Sequence, residues 1–132
     1  AQLSQCDLRA PIDGIVIQAE ARAGESWTSL LLMRAFEVAD LTALHVRAEV
    51  ADADIPRVSI GQAVELRAEG GGPALAGTVV RLAPRYGRRE VQRRAVGDIA
   101  DADVREVLVA VSEQSEWLPG QRVTAVFLAS DR

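Results

Sequence analysis

Lysine is absent from this 132-residue chain: all fifteen basic residues are arginine. That excludes Schiff-base chemistry and any cofactor carried on a lysyl amine. Histidine and cysteine occur once each, as His45 and Cys6, so an internal disulfide is impossible and a His/Cys metal centre lacks ligands. Aromatic residues make up only 4% of the chain, which leaves little for stacking on nucleic-acid bases. The formal charge of −4 points the same way, because phosphate contacts need a basic surface. Nor is there a run of about eighteen apolar residues, the length a membrane-spanning helix requires.

What is present suits a β-rich chain. Apolar residues reach 48%, enough for a core in one ordinary domain or two very small ones. Ten Gly and five Pro punctuate short runs of Val, Leu and Ala, favouring many short strands over long helices. Leu44, Val46, Ala48 and Val50 alternate with His45, Arg47, Glu49 and Ala51, and Val64, Leu66 and Ala68 alternate with Glu65, Arg67 and Glu69. Further strands are expected at Leu75 to Leu82, Val104 to Val111 and Arg122 to Leu128, with a loop at Gly70-Gly71-Gly72-Pro73 and a turn through Pro119-Gly120. Asp52 to Val58 reads as one short helix, with the Asp52 carboxylate as its cap. Upstream, Pro11 stops any helix running through Ala1 to Asp7, Asp13-Gly14 is expected to turn between two short strands, and Gly24-Glu25 marks the next turn. The apolar run Leu30 to Val38 has no period that fixes its path. Five or six antiparallel strands suit a small closed barrel, since closure removes exposed edges.

In order along the chain stand Leu8-Arg9-Ala10-Pro11, Asp13-Gly14 with Ile15-Val16-Ile17, Ala39-Asp40-Leu41, Asp54-Ile55, Gly61-Gln62 and Leu118-Pro119-Gly120-Gln121-Arg122-Val123. No one of these is diagnostic, but the ordered series resembles the periplasmic adaptor family, the HlyD-like membrane fusion proteins of tripartite efflux and secretion systems. The resemblance implies a mainly β fold. Residues 1–43 would be the end of a helical hairpin and the second half of a lipoyl-like domain, and residues 44–132 a small antiparallel β-barrel with one short helix. It further implies a non-catalytic, cofactor-free adaptor in the periplasm, tethered to the inner membrane through an upstream segment. Its partners would be an inner-membrane transporter, an outer-membrane channel and further copies of itself in a ring. The segment Arg85-Tyr86-Gly87-Arg88-Arg89-Glu90-Val91, with Asp103-Val104-Arg105-Glu106-Val107 after it, is similar to adaptors that serve ATP-driven (ABC-type) exporters. A first lipoyl half and a helical hairpin would precede Ala1. Thr28-Ser29-Leu30-Leu31-Leu32-Met33 departs from the family, where a Gly-containing hairpin is usual. Pairing of two copies is one way to cover such leucines. Biotin and lipoyl carriers share the half-motif at Ala10 to Ile17 but need a lysine, which this chain lacks. A free-standing small-ligand-binding β-barrel is the remaining alternative.

Candidate chemistry is thin. Gly70 to Gly72 lacks the Lys-Ser/Thr continuation of a phosphate loop. Asp52 with Asp54, and Asp101 with Asp103, lack the glycine and terminal glutamate of a calcium loop, so turn and cap roles are favoured. Ser112 and Ser115 have no base to activate them, and His45 reads as a surface residue. Leu3-Ser4-Gln5-Cys6 superficially matches a lipoprotein processing site, yet Gln5 stands where a small residue is required, and Cys6 reads as an ordinary small residue.

One segment stands apart. Arg81, Arg85, Arg88, Arg89, Arg93 and Arg94 share a stretch with a single acid, Glu90, giving a local charge of 6 − 1 = +5 and leaving −4 − 5 = −9 on the rest. It reads as a long loop between barrel strands. Arg85, Arg88, Arg89, Arg93 and Arg94 are the candidate partner-binding residues, because guanidinium forks match carboxylates and phosphates. An acidic partner surface, anionic lipid headgroups and a merely solvated insertion are all compatible with it. Nucleic acid is not favoured, with Tyr86 the sole aromatic residue in the segment.

Overall fold

The computed structural model describes residues 8–25, 34–88 and 103–129. The expectations for Ala1 to Asp7, Cys6, Trp27 to Met33, Arg89 to Arg94 and Asp101 therefore lie outside the described residues. The chain is mainly β, and it divides into two compact units, Ala1–Thr42 and Ala43–Arg132.

In the first unit, β1 (Ile15–Ala19) pairs antiparallel with β2 (Phe36–Ala39), with a bulge between Val16 and Gln18. The pairing continues as Glu20 and Ala21 donate their backbone N–H groups to Ala35 O. Asp13 lies in a bend that leads directly into β1, and no strand precedes it among the described residues, so the expected hairpin turn at Asp13-Gly14 is not there. Gly14 instead lets the chain run close past β2: a Cβ on it would lie 2.5 Å from Ala39 O. The expected turn at Gly24 is present, with φ of 87° and the Glu25 N–H donating to Arg22 O. All five residues of β1 are exposed, including Ile15, Val16 and Ile17.

The second unit is a five-stranded antiparallel sheet, β3 (His45–Ala51), β4 (Ala63–Ala68), β5 (Leu75–Arg88), β6 (Asp103–Val111) and β7 (Val123–Phe127), in the order β3-β6-β5-β4-β7. The outer strands β3 and β7 approach each other, and the sheet curls into a nearly closed barrel. Period-two alternation sends Val46, Ala48 and Val50 inward and leaves His45 and Arg47 exposed. On β4 it buries Val64 and Leu66. With Ile55, Val58, Val79, Val107 and Val109 these residues form the core, in which Leu66, Val107 and Val109 are wholly removed from solvent. β-branched side chains dominate it, as befits a pleated surface packed on one face. Each such burial contributes ~1.5–3 kcal/mol.

A 3-10 helix, Asp52–Arg57, closes one end of the barrel, with Ile55 buried as its plug. Asp52 is its first residue and not its cap. Ala51 holds the cap position, with no side-chain cap bond, and Pro56 inside the element limits it to this tighter form. Gln62, next to β4, carries a polar side chain into the buried interior. Its Oε1 accepts from Ser59 N at 2.9 Å and its Nε2 donates to Leu128 O at 2.7 Å, so both ends of the amide are satisfied.

Candidate docking site on the distal half of β5

β5 is fourteen residues long and does not end at Leu82; it continues through Pro84 and Arg85 to Arg88. The expected loop is, over these residues, a strand. Two irregularities make this possible, one between Val79 and Arg81 and one between Leu82 and Tyr86. Pro84 falls in the second, where a bulge asks for no ladder donor. Beyond it the pairing with β6 resumes, as Tyr86↔Arg105, Gly87↔Val104 and Arg88↔Asp103. Val104 and Val107 are buried, which anchors the partner strand beneath this ribbon.

Two contacts fix the bulged segment. Arg105 Nε donates to Ala83 O at 2.5 Å, satisfying a carbonyl inside the irregularity. The Tyr86 hydroxyl hydrogen-bonds to the Asp52 carboxylate, and that bond is the main reason its pKa is raised, with desolvation and the Asp52 charge adding to it and Arg105 opposing. Asp52, placed in a cap role by the sequence, thus works as an acceptor for β5. The sequence carries no signal for either contact, because the β5–β6 register, and for Asp52 the β3–β6 pairing as well, brings the partners together.

Arg81, Arg85 and Arg88 are all exposed, and none takes part in a salt bridge among the described residues. Three other arginines are ion-paired: Arg34 holds Glu37 at 3.6 Å, Arg47 holds Glu106 at 3.5 Å, and Arg67 pairs with Glu65, while Arg9, Arg22, Arg57 and Arg122 share the unpaired state of the β5 set among the described residues. The described part of the candidate site is therefore a paired ribbon whose guanidinium groups form no salt bridge, although Asp103 stands at the register position opposite Arg88. Arg81, Arg85 and Arg88 lie along this one strand, while Arg89, Arg93 and Arg94 lie outside the described residues. On the side of β5 away from β6, β4 pairs only with Leu75 to Thr78, so the arginine-bearing half has an open backbone edge among the described residues.

The other sequence candidates are not assembled into a site. His45 is exposed at the start of β3, and Gly71 and Gly72 adopt positive φ in an open loop. Ser112 is exposed, and Ser115 Oγ is buried without a hydrogen-bond partner. No group of three or more His, Cys, Asp or Glu side chains that could hold a metal occurs among the described residues. Asp40 binds its own turn: its Oδ1 accepts from Thr42 Oγ1 at 2.6 Å and Thr42 N at 2.9 Å, which holds its carboxyl below the ordinary range.

No protein-family model matches the chain, and no curated protein matches it by sequence. Among solved structures it is similar to the membrane fusion protein Spr0693 from Streptococcus pneumoniae R6, with a TM-score of 0.64 and 13% identity. The match covers 98% of this chain and 52% of the other, so the chain spans about half the length of that protein. At this identity the likeness is one of fold, and the fold of the chain is that of a portion of a membrane fusion protein.

Proposed function

We propose that the chain is part of a non-catalytic adaptor that bridges an inner-membrane exporter, of the ABC type, to an outer-membrane channel in a tripartite efflux or secretion system. In this reading it stands in the periplasm, tethered to the inner membrane by a segment upstream, and oligomerises into a ring. The single observation that carries it is the likeness of nearly the whole chain to a membrane fusion protein. Two features agree. The β1–β2 hairpin exposes Ile15, Val16, Ile17 and Phe36, apolar surface of the kind that a second lipoyl-like half would cover. The barrel interior is filled by Val50, Val64, Leu66, Val79, Val107 and Val109, which disfavours a free-standing barrel that takes up a small ligand.

The arginine ribbon is the proposed partner-binding element, with Arg85 and Arg88 on β5 and Arg89, Arg93 and Arg94 following in sequence. The test is mild crosslinking of the native full-length protein in its own envelope, followed by identification of what co-purifies. An inner-membrane transporter together with an outer-membrane channel is the expected recovery. Recovery of a soluble cytoplasmic protein and no envelope partner would overturn the proposal.

A further inference from the structure

The outer face of the barrel sheet departs from alternation at one place. Such a sheet packs one face on the core and turns the other to water, so every second residue should be polar. That holds at Arg67 on β4, Thr124 on β7, and His45 and Arg47 on β3. It fails where the end of β7 meets the start of β4. Leu128 N donates to Ala63 O, Ala63 pairs with Thr78, and Val80 follows two residues on along β5. Val126 stands two residues before Leu128, on the same face. Val80, Val126 and Leu128 are 42%, 45% and 44% exposed, and contiguous apolar surface of this kind is what an interaction site presents. Because the sheet curls around its core, the patch is convex.

The patch has its shape before anything binds. Ser59 to Gln62 make a tight turn, in which Gln62 N donates to Ser59 O and Gly61 takes φ of 86°. Gly61 N donates to Val79 O, which fastens the turn to β5 one residue short of Val80, with Ile60 68% exposed in the turn. The Gln62 amide reaches Leu128 O at 2.7 Å and holds the end of β7. Association therefore costs little ordering.

Charge selects what covers the patch. The irregularity between Val79 and Arg81 sets Arg81 opposite Leu108, so that Val80 and Arg81 both lie on the outer face. Arg81 is exposed and forms no salt bridge among the described residues. The glutamates of the same face are engaged already, Glu65 by Arg67, Glu106 by Arg47, and Glu49 as well. Farther along β5, Asp52 holds Tyr86 and Asp103 stands opposite Arg88, while Asp54 belongs to the 3-10 helix. A second copy laid on the patch would bring another Arg81 and glutamates that are already held. An anionic bilayer would meet a chain of net charge −4. A protein surface with a carboxylate at the rim of an apolar hollow matches both the patch and its arginine.

We infer that the patch formed by Val80, Val126, Leu128 and the Ile60 turn docks into an apolar hollow on a different protein, with a carboxylate of that protein paired to Arg81. The inference goes beyond the adaptor reading and does not need it.

The test puts the photoreactive residue p-benzoylphenylalanine in place of Val80, Val126 or Leu128, one at a time, in the full-length protein in its native cells. Thr124 and Arg67, on the polar part of the same face, are replaced as controls. All three patch positions are expected to crosslink to one protein other than this chain, at a segment carrying Asp or Glu, and the controls are not. Arg81→Glu is expected to lower the yield about tenfold or more, and reversing an acid of the crosslinked segment to Arg is expected to restore it. Should Arg81→Glu shift the thermal transition, Arg81→Gln takes its place. Crosslinks to a second copy, to lipid or to another part of the same polypeptide overturn the inference, as do yields no higher than the controls. A yield indifferent to the Arg81 variant, or restored by no acid of the segment, overturns it too. Where the partner resides is scored separately: a cytoplasmic partner would remove the adaptor role and leave the docking, whereas envelope partners recovered without crosslinks from the patch would do the reverse.

Discussion

The Tyr86 hydroxyl donates to the Asp52 carboxylate, tying the distal half of β5 to the first residue of the 3-10 helix. Ionising Tyr86 would break this bond and set a phenolate beside a carboxylate, so its pKa lies above the ordinary phenol value. The chain has one tyrosine, which makes the phenolate absorbance an unambiguous probe. Alkaline titration is expected to show ionisation above about 10, moving down in Asp52→Asn. The stability contributed by the contact is fully present below the ordinary phenol value and is lost as pH rises through the raised one. A titration curve indifferent to Asp52→Asn would rule the contact out.

Gln62→Leu keeps the volume and removes both side-chain bonds, leaving Ser59 N and Leu128 O without their partner. The expected cost is ~1–3 kcal/mol, read as a fall of roughly 4–8 °C in Tm per kcal/mol. An unchanged Tm would mean that water replaces the amide at no cost.

Gly77, the third residue of β5, is buried, and a Cβ on it would lie 2.7 Å from Val109 Cγ1 and 2.9 Å from Leu66 Cδ1. Gly77→Ala should overpack the barrel by ~1–3 kcal/mol. Adding Val109→Ala makes room, so the double variant should be more stable than the sum of the single effects, by about 0.5 kcal/mol or more in denaturant unfolding. Strict additivity would show that the barrel relaxes around the new methyl.

Arg105→Met retains the aliphatic stem and deletes the donor to Ala83 O. Hydrogen exchange should quicken at Tyr86, Gly87 and Arg88 while Val64 and Leu66 stay protected, with a global loss of ~1–3 kcal/mol. Uniformly faster exchange across the whole unit would point to a general loss of core packing and not to release of the bulge.

Much of the barrel was legible because its strands alternate. Val46, Ala48 and Val50 on β3, and Val64 and Leu66 on β4, carry the period-two pattern that one buried face imposes. The far half of β5 was not legible. Pro84 and a dense run of arginines are local loop signals, and only pairing with the anchored β6 overrides them. The same blindness hid Asp52, whose position before a short helix suggested a cap while its hydrogen-bond partner stands far along the chain. As for the candidate site, composition alone located the arginines. That Arg81, Arg85 and Arg88 form no salt bridge among the described residues depends on where every glutamate folds, which no local pattern encodes.

A strand of fourteen residues whose distal half has an open backbone edge among the described residues would ordinarily be a seed for runaway sheet growth. The proline and bulge at its centre interrupt the repeat that a growing fibril copies, and the arginines add repulsion between identical strands laid in register. The length of β5 is therefore compatible with crowding many copies side by side, because the longest strand of the sheet is also the one least able to template its own kind.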